Sequence, residues 1–415
     1  MNVLPVSQKP RGVSLSRNLT VLALCQALFF VANTITISTS PLVGLALAPS
    51  PVLATVPLGV QFAGTMAATL PASLLMGRYG RRPGLMLGCL VGVLSGLCGY
   101  LAIMRADFVL FCLAGVLYGV FSAFCQYFRF AAADAADASC CGGGSHAGRD
   151  PGPLRARAIG WVLAGGTLAA VAGPELAKAT RDLLAPIMFA GSQLAVLGVA
   201  GLACVILLAL DVPVLQPRGA GGPGRSLAEL AADPAIRRAF GIALVAYVSM
   251  NLLMTATPLT MLDCGFGFDA SASVIQWHVV GMFAPSFVSG GLVARFGARR
   301  MVLAGAATML TCIGVALAGQ ELAHFAAGLL LLGIGWNLMF VGATAMLTGA
   351  YAPAEKARVQ GLHDLLLFTC VAASASLSGA LQATIGWEAM NLAVLPGLLL
   401  VAFLVIGPAP AARTT

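Results

Sequence analysis

Charge is what this sequence has least of. Only 9% of its 415 residues are Asp, Glu, Lys or Arg, against roughly a quarter in an ordinary soluble domain. With 59% hydrophobic residues and a mean hydropathy of +0.93, the chain cannot clothe a surface in water, so its solvent is lipid. The alternating ten-residue segments of a membrane β-barrel are missing, and long unbroken apolar runs stand in their place. Acidic residues are the scarcer sign, 15 against 23 basic, for a net charge of +8. No long Lys/Arg block accompanies that excess, which excludes nucleic acid as a partner and leaves membrane lipid. Cysteine offers no framework either. Of 11 Cys, eight (Cys25, Cys89, Cys98, Cys112, Cys125, Cys204, Cys312 and Cys370) fall inside apolar runs, where thiols act as small packing groups.

Signatures of chemistry are missing too. There is no phosphate-binding Walker loop, so no ATP-driven engine is expected. No zinc-helix motif and no Ser–His–Asp set stand out, and the chain is read as a non-enzyme without cofactor or metal. The segment Cys140-Cys141-Gly142-Gly143-Gly144-Ser145-His146 has too few ligands for a zinc site and reads as a glycine-rich loop.

What is present is a set of twelve apolar runs, each near the roughly 20 residues that a helix needs to cross a bilayer. They span about 18–42, 51–76, 84–104, 107–131, 157–178, 186–210, 238–262, 271–294, 299–319, 323–350, 358–383 and 388–407. Lys9, Arg11 and Arg17 precede the first run, which is too long for a signal core and is read as a retained span. Two connections are long, Ala132–Ala156 and Asp211–Arg237. The second is rich in Gly and Pro and divides the chain into an N-terminal six-helix bundle (1–210), a linker (211–237) and a C-terminal six-helix bundle (238–415). With both termini cytoplasmic, nineteen Lys/Arg fall on inner segments and three on outer ones. That asymmetry is the positive-inside signature of a multi-pass protein of the bacterial inner membrane.

The arginines also reveal a repeat. Arg78-Tyr79-Gly80-Arg81-Arg82, between the second and third runs, returns 217 residues later as Arg295-Phe296-Gly297-Ala298-Arg299. Arg157-Ala158-Ile159-Gly160 before the fifth run is echoed by Arg358-Val359-Gln360-Gly361 before the eleventh. Both echoes lay one half on the other, six spans apart. Duplicated six-span halves around a midplane site are a transporter architecture.

The loop Ser73-Leu74-Leu75-Met76-Gly77-Arg78-Tyr79-Gly80-Arg81-Arg82 resembles the signature G-x-x-x-D-R-x-G-R-R of the major facilitator superfamily, matching at Arg78, Gly80, Arg81 and Arg82. In the second copy Gly290, Arg295, Gly297 and Arg299 match, and the acidic position is Gly77 in one copy and Ala294 in the other. Gly166 and Gly173-Pro174 resemble part of the glycine–proline motif of drug–proton antiporters, although Leu176-Ala177 replace its closing glycines. Gly115 stands in the fourth run where that pattern places an Arg. The resemblance implies an all-α membrane protein of twelve transmembrane helices in two pseudo-symmetric bundles, working as a monomer by alternating access. Runs one, four, seven and ten would line its cavity.

Intramembrane charges are costly and mark functional positions. Arg129 lies deep in the fourth run, with Asp134 just beyond it, and Asp364 sits about 9 Å into the eleventh at 1.5 Å per residue, next to His363. Arg129 and Asp364 are expected to gate, with Lys356 or Asp134 as alternative partners. Glu175 and His278, on the fifth and eighth runs, are expected to form a proton-linked pair across the halves. The substrate cavity is expected to draw on Asn33, Gln126, Asn251, Trp277, Trp336 and Asn337. Few cations and no carboxylate cluster are available, which disfavours polyanions and inorganic ions. The expectation is proton-coupled transport of a small neutral, zwitterionic or amphipathic organic molecule, with export slightly favoured by the glycine–proline motif. Uptake of a nutrient or vitamin is the alternative, as is a non-transporting assembly or pigment-binding role.

Overall fold

The structure is a computed structural model and describes residues 15–141, 151–212, 225–352 and 355–406. The membrane-crossing helices are α1 (Leu15–Leu47), α2 (Pro51–Tyr79, entered through a 3-10 turn), α3 (Arg81–Met104), α4 (Phe108–Ser139), α5 (Pro151–Arg181) and α6 (Ala190–Leu207). The second set is α7 (Pro234–Asp263), α8 (Phe268–Phe296), α9 (Ala298–Ala318) and α10 (Leu322–Thr348). It ends in a 51-residue helix, Lys356–Ile406, that breaks at Gly386 (φ 78°, ψ 173°) into α11 and α12. That backbone region is open essentially only to glycine, so one residue does the work of a loop. Twelve crossings result.

Boundaries follow local chemistry. Asp107 caps α4 by accepting the Leu110 amide at 3.0 Å, and Asp233 caps α7 ahead of Pro234. Pro41, expected near a helix end, lies inside α1, which runs on to Leu47. Neighbouring helices tolerate such a break in lipid better than water does. Two spans expected to be continuous are not. α4 breaks at Gln126 and Tyr127, and α8 breaks at Ala284 and Pro285.

The repeat is visible in the backbone. Gly80 (φ 96°) and Gly297 (φ 84°) make the same left-handed turn between α2 and α3 and between α8 and α9. Arg78 lies over the Tyr79 ring and Arg295 over Phe296, at 5.3 and 5.1 Å. Gly64 and Gly281, also 217 apart, each let a helix rest on its neighbour's backbone; an added Cβ would sit 2.6 Å from Val116 O in α4 and from Leu330 O in α10. Gly115, in the place of the expected arginine, does the same against Pro57 O at 2.5 Å. Small residues at close helix crossings are how membrane bundles gain packing without a hydrophobic drive. Each half has its own apolar core, one around Leu22, Phe121 and Phe128 and the other around Met254, Met309 and Met390. Leu70, Val109, Phe287 and Phe403 point outward, 67–76% exposed, as lipid-facing residues should.

Between the halves, the described contacts gather at the end away from the signature arginines. Thr55 Oγ1 donates to Ser376 O at 3.1 Å and accepts the Gly379 amide at 2.9 Å. Gly59 lets Ser376 press directly on α2. Arg181 pairs with Asp269 at 3.0 Å, Lys178 donates to Ser273, and Phe189 meets Phe268 edge-on at 5.1 Å. Ala170 packs on Ile275 and Val279, and Phe30 on Phe283 near mid-depth. At the basic end the ties run within each half. Arg81 bonds Asp134 at 2.6 Å. Arg225 makes a two-pronged pair with Glu355 (2.7 and 2.7 Å) and a third bond to Asp233 at 2.6 Å. The linker is therefore folded onto the second half from Arg225 onward, through a short helix, Leu227–Ala232, with a Ser226/Glu229 capping box.

Two predictions follow from this frame. Gly297→Ala, or Gly80→Ala, should cost about 1–3 kcal/mol because alanine resists that backbone region. A thermal melt of the purified protein would show the drop, whereas Gly314→Ala, in open space on α9, should leave the melting temperature unchanged or higher. The hydrogen bonds from Arg225 pull the Glu355 carboxyl down to about 2. Burial opposes the Asp233 charge, but bonds from Ala235 and Arg225 outweigh it and hold its pKa low as well. A carboxylate with a depressed pKa contributes stability above its unfolded pKa and loses it as pH falls through the folded value. The clamp should therefore be intact at neutral pH and weaken only below about 4.5, its unfolded reference. Glu355→Gln should speed tryptic cleavage after Arg225 at pH 8; equal cleavage of both proteins would contradict the clamp.

Candidate functional site

The break in α4 sets Gln126, Tyr127 and Arg129 near the middle of the protein's basic half. Tyr127 donates to Thr69 O at 3.1 Å, which fixes the break against α2. Arg129 stands about 15 Å from the Ser139 end of its helix at 1.5 Å per residue. It lies over the Phe130 ring at 5.0 Å, and its Nε is buried with no acceptor. Asp134, considered as its partner, is taken by Arg81. From the other half, α11 brings Asp364 to about 12 Å from Lys356, its side chain 49% exposed, with His363 Nδ1 3.1 Å from Oδ1. The His363 ring packs on Phe240. Tyr247 of α7 lies within electrostatic reach of both Arg129 and Asp364. The structure thus brings the two expected gate residues to one region without joining them in an ion pair.

Tyr247 belongs to an aromatic group. Trp336 and Phe340 of α10 stack with planes 9° apart at 5.2 Å, and Tyr247 stands edge-on to both at 5.2 and 5.4 Å. The Trp336 Nε1–H is buried without an acceptor. Trp336 was expected in the cavity; Tyr247 and Phe340 were not. An aromatic at Phe340, four residues after Trp336 and so on the same helix face, was the signal available in the sequence.

Other expected residues stand elsewhere. Asn251 is buried and bonds Val371 O and Ser374 Oγ, joining α7 to α11. Asn337 bonds Met282 O and Ser286 Oγ, joining α10 to α8. Both are helix–helix ties, the commoner role of small polar residues in membranes. Trp277 is 53% exposed, two residues and therefore about half a turn from Ile275, on the far side of α8. Asn33 and Gln126 are half-buried. Glu175 and His278 do not meet. Glu175 is held by Lys178 at 2.8 Å, while His278 is fully buried with Nδ1 against Leu329 O at 2.9 Å. One ring nitrogen of this lone histidine rests on a neighbouring carbonyl, while Nε2 is buried without a partner. Of the signature arginines, Arg81 finds a carboxylate, Arg78 and Arg295 rest on aromatic rings, and Arg82 and Arg299 are exposed. His146 lies outside the described residues, and no described cluster of three or more His, Cys, Asp or Glu would hold a metal.

Comparison with known proteins places this arrangement. Residues 239–415 match the family model of the Major Facilitator Superfamily. The chain is 38% identical over 387 residues to the riboflavin transporter RfnT of Brucella anthropi, covering 93% of this chain and 94% of that one. It is 29% identical to the uncharacterised MFS-type transporter YddS of Bacillus subtilis, over 75% and 73% of the two chains. Among solved structures, the nucleoside transporter NupG superposes with a TM-score of 0.69 at 10% identity, over 94% of this chain and 98% of its own. A bacterial homologue of the human lysosomal transporter Spinster, inward-facing and unoccupied, gives 0.68 at 16%, over 94% and 96%. These two likenesses speak for the fold alone. The relatives are transporters and not enzymes. The chain belongs to the major facilitator superfamily and is a multi-pass membrane transporter of a small solute.

Proposed function

We propose that this protein carries riboflavin, or a closely similar uncharged flavin, into the cell by alternating access. The observation that carries the reading is the 38% identity to a riboflavin transporter along nearly the whole of both chains. The polar inventory agrees with it. Riboflavin is uncharged, flat and amphipathic, and the region between the halves offers aromatic faces, one arginine and one aspartate rather than a cluster of like charges. Export has less support than the glycine–proline motif gave it. Gly173 packs against Thr34, Pro174 sits inside α5, and Glu175 is engaged by Lys178.

The basic end is taken as cytoplasmic by the positive-inside rule, with both termini on the cytoplasmic side of a bacterial inner membrane. The closed end then faces outward and the conformation is inward-facing, with a monomer as the working unit. Proton coupling rests on His363 and Asp364 in this reading, because the Glu175–His278 pair is not assembled. Energy from a gradient would act by changing which side of the bilayer that carboxylate meets.

Expression in a riboflavin-auxotrophic bacterium should restore growth at low external riboflavin and give saturable uptake of the labelled vitamin. A protonophore should depress that uptake, and Asp364→Asn should lose the sensitivity. Correctly inserted protein that supports neither growth nor uptake would refute the reading. Efflux of preloaded flavin without uptake would reverse its direction.

A further inference from the structure

Among the described residues of the basic half, two buried hydrogen-bond donors lack acceptors, the Nε of Arg129 and the Nε1 of Trp336. Unmade bonds of this kind are costly and are rare in folded proteins. They lie at matching depths. Arg129 is about 15 Å from the basic end of α4, and Trp336 is about 18 Å from that end of α10, at 1.5 Å per residue. Tyr247 links them: its ring is 5.2 Å from Trp336, and its hydroxyl lies within the field of Arg129. Phe340 and Tyr247 are only partly covered, so the aromatic group has faces left for a further ring. What would satisfy this set is a flat, π-rich molecule whose edge carries acceptors. Stacking would use the free aromatic faces, and the edge acceptors would accept hydrogen bonds from Arg129 Nε–H and Trp336 Nε1–H.

The isoalloxazine ring has that character. It is tricyclic and planar, with carbonyl oxygens at C2 and C4 and bare ring nitrogens at N1 and N5. We infer that Tyr247, Trp336 and Phe340 of the second half and Arg129 of the first form the ring-recognition site for the flavin, holding the carbonyl edge from opposite halves. This inference rests on the flavin-transport reading above and assigns the residues that make the selection. Because one half supplies the stacking wall and the other the charged donor, the bound ring bridges the two bodies that rock. Asp364 lies close enough to act on Tyr247 together with Arg129, so the site carries one charge of each sign. A neutral ring fits such a balance; a flavin bearing a phosphate dianion does not, since the site offers a single cation beside a carboxylate.

Riboflavin fluorescence, which stacking quenches, provides the readout with the full-length protein in nanodiscs. Wild type should quench and saturate. Arg129→Gln and Tyr247→Ala should each weaken binding about tenfold, the scale of one charge-assisted bond or one stacked ring. Tyr247→Phe should keep most of the affinity, which guards against loss of folding as the cause, and a thermal melt of each variant adds a second check. Trp277→Ala, on the far side of α8, should bind as wild type. Flavin mononucleotide should bind at least about tenfold more weakly than riboflavin. If wild type binds and transports riboflavin while Arg129→Gln and Tyr247→Ala bind equally well, the site assignment falls and the transport reading stands. If wild type neither binds nor transports it, both fall.

Discussion

The two halves touch through backbone, and everything else in the structure depends on where they do. At the end away from the arginines, Thr55 and Gly59 of α2 nest against Ser376 and Gly379 of α11. A side chain larger than hydrogen at Gly59 would collide with Ser376. Lipid gives no hydrophobic reward for bringing helices together, so close packing and a few directed bonds must supply the cohesion. The Arg181–Asp269 pair and the Phe189–Phe268 contact extend the seal across α5 and α8.

Pseudo-symmetry explains much of the frame and also shows where the halves differ. Gly80 and Gly297 turn the chain alike, and Gly64 and Gly281 seat equivalent helices alike. The electrostatics do not repeat. In the first half Arg81 reaches Asp134 and ties α3 to α4. Its counterpart in the second half is Ala298, and at the basic end of that half the fastening is a different one: the linker ties the α10–α11 connection to the start of α7, through Arg225 on Glu355 and Asp233.

The frame was legible in the sequence because the bilayer leaves so few options. Length and hydropathy set the crossings, arginine placement set the ends, and an offset of 217 residues exposed the repeat. Helix breaks were harder to read. Nothing in Gln126-Tyr127 announces that α4 stops and restarts there, whereas the break between the eleventh and twelfth runs was read at 384–387, where Gly386 stands. The site was legible only in part. Arg129, Asp364 and Trp336 stood out as costly or large. Asn251 and Asn337 looked equally suited to the cavity, but a neighbouring carbonyl and hydroxyl had claims on each, and one-dimensional spacing cannot show which way an amide turns. Phe340 passed unnoticed because aromatic residues on apolar helices are ordinarily packing, and Tyr247 counted only as one polar residue of the seventh run; their value comes from standing beside one another.

Gly386 has a wider consequence when taken with the other turns at the sealed end. Among the described residues, the connections there are residues 48–50, 105–107, 182–189, 264–267, 319–321 and that single glycine. None is longer than eight residues. A face so nearly bare offers a macromolecule almost nothing to grip, so whatever binds this protein from that side has only helix ends and short turns to meet.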